Sequence, residues 1–253
     1  MHHRPALPAE PIISVRDLCF RYRADQPAVL NGVDLEIHAG ARCLLIGANG
    51  AGKTTLLRVL GGKHLVPADS VRVIGRSAFH DTDLAGMVEY LGSSFPFEVD
   101  LRVGEIVAGV RQVDPARRDR LVALLGVDLD WHMHRVSDGQ RRRVQILLGL
   151  MHPREVLLLD EITTDLDLLA RQDLLDFLRE ESEGRSVTIV YATHILDRLE
   201  SWATHLCAVR AGRVAWMGPV DEMPELALAR AAGRPSPLYE AVLAWLRGSA
   251  ALL

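Results

Sequence analysis

The 253-residue sequence has few cysteines, few aromatic residues and no run of apolar residues long enough to cross a bilayer. Cys19, Cys43 and Cys207 are odd in number and have no paired spacing, which indicates reduced core thiols rather than disulfides or a zinc site. The longest apolar stretches fall far short of the roughly 20 residues of a membrane-spanning helix. The amino-terminal "MHHRPALPAEP" also lacks the apolar centre of a signal peptide. We therefore expect a soluble, cytosolic protein.

An excess of positive charge is also lacking, because 29 lysines and arginines stand against 33 aspartates and glutamates, for a net charge of −4. General nucleic-acid binding requires a basic surface, so the sequence gives no signal for direct contact with nucleic acid. What remains is a globular composition, with a length that suits one domain or a domain carrying a sizeable insertion.

A glycine-rich turn interrupts an apolar run at residues 44–60, "LLIGANGAGKTTLLRVL". Its spacing is that of the G-x-x-x-x-G-K-[ST] phosphate loop, with a strand-like segment before it and helical spacing after it. Backbone N–H groups of such a loop and the positive end of the following helix bind phosphates. The loop residues that we predict to bind nucleotide are Gly47, Asn49, Gly50, Gly52, Lys53, Thr54 and Thr55.

The residue types in this loop divide the work of binding a nucleoside triphosphate with Mg²⁺. Lys53 supplies a mobile positive charge for the β- and γ-phosphates. Thr54 offers a hydroxyl to Mg²⁺, a hard ion that prefers oxygen ligands. Thr55 is placed to reach the phosphates.

The acidic end of a second apolar run, "VLLLDE", completes the predicted site. Asp160 is predicted to hold Mg²⁺ or its water, and Glu161 to orient or deprotonate the attacking water. His194 ends the next apolar run, in "YATHIL", where an imidazole can hydrogen-bond the γ-phosphate or the attacking water.

The order of apolar runs predicts an α/β fold. Residues 12–47 alternate short β-rich runs with turns, and Asn31-Gly32 is a turn signal. Later apolar runs alternate with helical patterns, as in a parallel sheet covered by helices. Residues 97–152 are predicted to be almost entirely helical, with Asp114 capping one helix, and "GRVAWMG" is predicted to be a late hairpin strand.

Four segments, "GANGAGKTT", "VSDGQRRRVQ", "LLLDEITTDLD" and "ATH", resemble in order and spacing the ATP-binding cassette (ABC) ATPases, over residues 12–220. The resemblance implies a P-loop fold with a RecA-like parallel-sheet core, an N-terminal antiparallel β subdomain and a helical signature subdomain. It implies one domain over 1–253. Residues 12–96 and 153–220 would form the β subdomain and the α/β core, 97–152 the helical subdomain, and 221–253 a helical C-terminal tail.

The same resemblance implies ATP and Mg²⁺ as cofactors and a head-to-tail homodimer that forms on ATP binding. The signature sequence of one subunit would contact the nucleotide held by the loop of the other, through Ser137, Gly139 and Gln140. Asp167 in "TTDLD" would link the two sites. Tyr22 matches the aromatic residue that stacks on adenine.

Two positions depart from the family pattern. Asp138 stands where the signature has a second glycine, and a cap of the following helix is the role in which its charge is harmless. Residues 88–102 contain no glutamine, although the family places there a glutamine that contacts Mg²⁺ and whose loop meets membrane subunits. Ser93-Ser94 occupy its place, which puts both contacts in doubt.

The wording "MHRVSDGQRRRVQILLGLMHP" is similar to the soluble ABC proteins of the fungal CCR–NOT-associated type and their plant relatives, which are single cassettes without membrane domains. This likeness implies an ATP-driven dimerisation switch on an assembly of soluble proteins. The alternatives are the ATPase subunit of a transporter with separate membrane subunits, and a nucleotide sensor of weak turnover.

Two apolar segments have no role in the predicted nucleotide site. The apolar residues Leu238, Val242 and Leu246, with Trp245 beside them, form a helical stripe that packs on its own domain or docks a partner. The segment "FPFEVD" at 95–100 offers an apolar docking surface.

Overall fold

The computed structural model describes residues 10–92 and 100–248. Within these two stretches the strands are β1 Ile13–Phe20, β2 Leu30–Ile37, β3 Arg42–Ile46, β4 Val71–Val73, β5 Arg76–Ser77, β6 Val88–Leu91, β7 Val156–Asp160, β8 Thr188–Ala192, β9 His205–Arg210 and β10 Arg213–Pro219. The α-helices are α1 Lys53–Leu60, α2 Val103–Gly109, α3 Pro115–Leu125, α4 Asp138–Leu150, α5 Leu168–Arg185, α6 Pro224–Ala231 and α7 Pro237–Arg247, with 3₁₀ helices at Thr82–Gly86 and Val220–Glu222.

The central sheet has six strands in the order β10-β9-β3-β8-β7-β6. All neighbours in it are parallel except β9 and β10, which form the predicted late hairpin. β3, β7 and β8 are buried along their whole lengths, because the sheet is covered on both faces. The predicted α/β class with a parallel sheet is confirmed.

A second, antiparallel sheet packs on one face of the first and has the order β2-β1-β4-β5. It corrects the prediction at Asn31-Gly32, which lies inside β2 rather than in a turn. Gly32 has φ 64°, and the β1–β2 register shifts between the pairs Leu18–Val33 and Phe20–Leu30. The left-handed residue therefore forms a bulge within the ladder, a use of glycine that the dipeptide alone does not distinguish from a hairpin turn.

The other face of the central sheet is covered by α2 to α7. Asp114 caps α3 as predicted, its side chain accepting a hydrogen bond from Ala116 N at 3.0 Å. The expectation of nearly continuous helix over 97–152 is wrong for residues 126–137, which are irregular and form one β-bridge between Arg102 and His132. Residues 93–99, which begin that range, lie outside the described part of the chain.

Helix α7 packs on its own domain through Leu238, Val242 and Trp245, all of which are buried in the helix-side core. Leu246 does not belong to the buried stripe, since 40% of its surface is exposed. The guanidinium of Arg210 in β9 lies 4.4 Å from the Trp245 ring centroid, a cation–π contact that fastens α7 to the central sheet.

The cysteines are all free, but only two are core thiols. Cys43 and Cys207 are buried, and burial raises the pKa of the Cys207 thiol to about 12. Cys19 is exposed, which corrects the prediction for that residue; its sulfur accepts a hydrogen bond from Gly32 N at 3.1 Å.

None of the helices in residues 10–92 and 100–248 combines the length and apolar character that crossing a bilayer requires.

Candidate functional site

Three buried strands, β3, β7 and β8, end at the same edge of the central sheet, where ligands of parallel α/β sheets bind. The glycine-rich loop follows β3, Asp160 is the last residue of β7, and His194 lies two residues past β8. Asp160 is in register with Ala192, whose carbonyl accepts a hydrogen bond from Glu161 N at 2.9 Å. The fold thus gathers the predicted residues from segments that are far apart in sequence.

The loop wraps around a cavity of about 330 Å³ at this edge. Gly52 has φ 108°, a left-handed conformation that favours glycine, and it is the N-cap of α1, whose first N–H groups then face the loop. The cavity is lined by Val29, Asn49, Gly50, Gly52, Lys53, Thr54, Thr55, Asp160 and Glu161. All but Val29 are residues that the sequence had singled out.

Lys53 lies over the loop, with its Nζ donating to the carbonyls of Gly47 at 2.7 Å and Ala48 at 3.1 Å. Burial lowers the pKa of this ammonium, while the negative charges of Glu161 and Asp160 act in the opposite direction. A cation that is partly removed from water and hydrogen-bonded to carbonyls can exchange these partners for phosphate oxygens.

The donor set beside Lys53 fits a magnesium ion. The hydroxyl of Thr54 donates to Asp160 Oδ1 at 3.2 Å, so a hydroxyl and a carboxylate lie together at the mouth of the loop. Mg²⁺ prefers hard oxygen ligands of this kind and completes its shell with water and phosphate oxygens. The second oxygen of Asp160 accepts a hydrogen bond from the Tyr90 hydroxyl at 3.1 Å.

Glu161 and His194 face each other across the strand ends, with 3.0 Å between His194 Nδ1 and Glu161 Oε1. Glu161 has φ 52°, a left-handed conformation that is uncommon for a residue with a side chain and is concentrated at functional sites. The carboxylate is 30% exposed and the imidazole 68% exposed, so water reaches both. A carboxylate held beside an imidazole can take a proton from a water molecule.

Tyr22 is half exposed at the edge of the loop, and its hydroxyl lies 3.0 Å from Thr55 Oγ1. Its ring makes edge contacts with Phe20 and His64, at centroid distances of 5.2 and 5.3 Å. The free part of the ring is available to a planar base whose phosphates lie in the loop.

The predicted signature residues open helix α4 and form a capping box. Ser137 Oγ accepts from Gln140 N at 3.2 Å, and Gln140 Oε1 accepts from Ser137 N at 2.8 Å. Ser137 is the N-cap, so the expectation that Asp138 caps the helix is wrong; Asp138 is the first helical residue, where the helix dipole favours its charge. A Cβ on Gly139 would lie 2.9 Å from Asp165 O, which explains the glycine there.

Asp167 links the signature helix to the segment after Glu161. It caps α5 by accepting from Ala170 N at 2.9 Å, and Arg143 of α4 pairs with its second oxygen. The hydrogen bond from Ala170, aided by Arg143, lowers the pKa of Asp167. No signature residue lines the described cavity of the same chain, so the two predicted halves of the site are separate within one chain.

Sequence reasoning missed Tyr90 and Arg58. Arg58 Nε donates to the Tyr90 hydroxyl at 3.4 Å, beside Asp160. The signal for Tyr90 was a lone aromatic residue in the short apolar strand β6, next to β7 in the sheet. Ser93 and Ser94 lie outside the described residues, as does most of "FPFEVD".

Comparison with known proteins places the chain in a family. The sequence pattern described as "ABC transporter" matches residues 30–164. ABC transporter I family member 21 of Arabidopsis thaliana is 46% identical, over 98% of this chain and 90% of that protein. CCR4-associated factor 16 of Saccharomyces cerevisiae is 38% identical, over 80% of this chain and 76% of that protein.

A solved dimeric ATP-binding cassette, described as a post-hydrolysis state bound to ADP and phosphate, has a TM-score of 0.67 and 18% identity, covering 82% of this chain and 98% of that one. This likeness supports the fold alone, whereas the sequence relatives establish the family. From the phosphate loop, the acidic strand end and these relatives, it follows that the chain belongs to the ATP-binding cassette (ABC) family and is an ATPase that binds ATP with Mg²⁺.

Proposed function

We propose that this ATPase is a nucleotide-driven dimerisation switch, with its residues acting as follows. The loop residues from Gly47 to Thr55 bind the phosphates, Thr54 and Asp160 hold Mg²⁺, and Tyr22 stacks on adenine. Glu161 is the general base that deprotonates the attacking water, and His194 orients Glu161 and contacts the γ-phosphate. The chain acts as a single domain over 1–253 with the subdomain limits predicted above.

The observation that carries the dimer is the separation of the two half-sites in one chain. The cavity at the loop lacks any signature residue, while Ser137, Gly139 and Gln140 lie at the start of α4. A head-to-tail pair of chains joins each loop to the signature of the other chain, and two-fold symmetry makes both sites complete at once. Dimeric cassettes of this fold have been solved.

A mixing experiment tests this arrangement. Lys53→Ala removes the phosphate contact of its own loop, and Ser137→Arg obstructs only the signature. Each variant alone should turn over little ATP. A mixed dimer has one intact site of two, so an equal mixture should recover turnover, up to about half of that of the wild type if every chain enters a mixed dimer.

If both variants are folded and the mixture recovers no ATP turnover, a site shared between two chains is contradicted. A control mixture of Lys53→Ala with Glu161→Gln, which damages both loops, should recover nothing. Sedimentation in ATP should show that Ser137→Arg binds nucleotide but stays monomeric.

We further propose that the cycle controls a protein assembly in the cytosol, because γ-phosphate contacts hold a closed dimer and disappear on hydrolysis. The test is recovery of partners on Glu161→Gln, which holds the ATP state, compared with Lys53→Ala, which does not bind ATP. A protein recovered in the first case and lost in the second is a partner of the closed state. Recovery of the same proteins on both variants would contradict the switch.

The alternative is the ATPase subunit of a transporter, which the name of the matched family favours. Consistent recovery of a membrane protein with several spanning helices on Glu161→Gln would establish it. The absence of a glutamine from residues 88–102 speaks against that outcome.

A further inference from the structure

Tyr90 is held between the predicted magnesium carboxylate and the helix that follows the phosphate loop. Its hydroxyl donates to Asp160 Oδ2 at 3.1 Å and accepts from Arg58 Nε at 3.4 Å. Thr54 already donates to the other oxygen of Asp160, so the two contacts fix both carboxylate oxygens.

Residue 92 is a glycine, and the Tyr90 ring occupies the space beside it. A Cβ on Gly92 would lie 2.4 Å from the Tyr90 hydroxyl oxygen and 2.7 Å from Cζ, so the ring takes the space that a side chain at 92 would need. The carbonyl of Gly92 accepts from Arg142 Nη1 at 2.7 Å and from Gln145 Nε2 at 2.8 Å. Both donors belong to α4, the helix that opens with Ser137.

We propose that Tyr90 is a positioning residue that orients Asp160 for Mg²⁺ and ties it, through Gly92, to the signature helix. The proposal rests on the proposed role of Asp160. In a chain without a glutamine in 88–102, Tyr90 thus brings a polar group from within β6 to the metal carboxylate.

The test uses Tyr90→Phe, which keeps the ring over Gly92 and removes only the hydroxyl. Binding of a fluorescent ATP analogue is titrated with Mg²⁺ and with EDTA. We expect the gain in affinity due to Mg²⁺ to fall about tenfold, in keeping with loss of one hydrogen bond to a charged group. Binding in EDTA and the melting temperature should stay at wild-type values. Tyr239→Phe, in the exposed part of α7, is the control.

A second pair of variants separates positioning from packing. Gly92→Ala forces the phenol aside, so it should reduce the gain in nucleotide affinity due to Mg²⁺ as Tyr90→Phe does. Tyr90→Ala with Gly92→Ala removes the collision, so its melting temperature should rise above that of Gly92→Ala while the Mg²⁺ gain stays low. An unchanged gain in Tyr90→Phe would overturn the proposal, whereas a wild-type protein with no Mg²⁺ gain would contradict the role of Asp160 itself.

A separate group of side chains lies on the outer surface between α2 and α4. Nδ1 atoms of His132 and His134 lie 3.0 and 2.7 Å from the same oxygen of Asp100. One ligand atom from each of the three residues lies within 4.8 Å of the others, and all three residues reach solvent. No role in the nucleotide site accounts for them.

Backbone hydrogen bonds hold the three residues of this group close together. Met133 N donates to Leu101 O at 3.0 Å, next to the antiparallel bridge between Arg102 and His132. Met133 is fully buried. Arg135 N donates to His132 O at 2.8 Å, so residues 132–135 form a turn, which keeps Met133 buried while His132 and His134 reach solvent beside Asp100.

We infer that Asp100, His132 and His134 form a surface site for a divalent transition metal of the Zn²⁺ class. Two imidazoles and a carboxylate are ligands that such ions prefer. A metal bound at both Nδ1 atoms takes the place of the protons that face Asp100, and each neutral imidazole then carries its proton on Nε2. Arg135, which donates to His134 Nε2 at 2.9 Å, is exposed and must swing away. The metal would fasten the start of α2 to the segment leading into the signature.

Calorimetric titration with Zn²⁺ tests the site, in a background where His2→Ala and His3→Ala remove the N-terminal histidines. We expect one Zn²⁺ per chain, with affinity reduced at least tenfold by His132→Ala or by Asp100→Asn. His38→Ala, an exposed histidine elsewhere, should bind as the background does. Equal binding by the background and by His132→Ala, or no binding at all, would overturn the inference.

Discussion

The phosphate-loop region and the signature region of this chain are built in opposite ways. The first lies at the ends of three buried parallel strands, and its polar side chains surround one cavity: Lys53, Thr54, Asp160 and Glu161. The second is the exposed start of a single helix, and the polar atoms of Ser137 and Gln140 are satisfied by each other. The first region is organised to receive a ligand, whereas the second is organised to remain intact in solvent.

Because of this difference, we expect substitutions in the two regions to impair different steps. In the proposed dimer, changes at the strand ends act on the chemistry within one chain, whereas changes at the start of α4 act on the association of two chains. The predictions below separate these effects, beginning with the largest.

Glu161→Gln should lower the turnover of ATP by about 10²–10⁴-fold, because a general base contributes that much to a reaction. ATP binding should persist, since Thr54 and Asp160 are intact. Phosphate release and nucleotide binding are the measurements. Turnover at the wild-type rate would remove Glu161 from the role of base and leave the strand-end region without its assigned chemistry.

Glu181→Ala should lower the free energy of unfolding by about 3–5 kcal/mol, because it leaves a buried arginine without its partner. Arg117 donates to both oxygens of Glu181, at 2.9 and 2.8 Å, and each side chain is only 10% exposed. This pair joins α3 to α5, and Arg117 Nε also donates to the carbonyl of Leu150 at the end of α4 at 2.7 Å. Urea unfolding is the measurement.

The matched control is Glu180→Ala, whose partner Arg120 is half exposed. This substitution should lower the free energy of unfolding by less than about 1 kcal/mol. Similar losses in both variants would show that the helices are not held by the buried pair.

Ser137→Ala should cost about 1 kcal/mol of stability through loss of the helix cap, and it should also lower turnover. Asp114→Ala removes the equivalent cap of α3 and should cost a similar amount without affecting turnover. If both variants reduced turnover equally, the effect of Ser137 would be structural and its role at the partner's nucleotide would be contradicted.

Gly32→Ala should lower the free energy of unfolding by about 1 kcal/mol, because alanine is strained at φ 64°, and it should leave turnover unchanged. The bulge lies in the antiparallel sheet three residues after Val29, and neither Asn31 nor Gly32 lines the described cavity, so ATP affinity should match wild type when the protein is folded. A changed ATP affinity would show that the β subdomain sets the geometry of the loop.

The strand-end residues were predictable because a phosphate loop and an acidic strand end specify their surroundings by local spacing alone. The contacts of Tyr90 were not, since they depend on which strand lies beside β7. Asp138 was misassigned because Ser137, one residue earlier, competes for the cap. Asn31-Gly32 has the composition of a turn, and only the pairing of β1 with β2 shows that it forms a bulge.

The position of β3 in the central sheet bears on how the chain is made. β3 is synthesised early, yet its two neighbours, β8 and β9, come from the last third of the chain. Pairings between segments so distant in sequence form late, and a chain leaving the ribosome folds as its segments emerge. The loop after β3 therefore lacks its framework until β8 and β9 have emerged, so competence to bind ATP comes only after Arg210 has been synthesised.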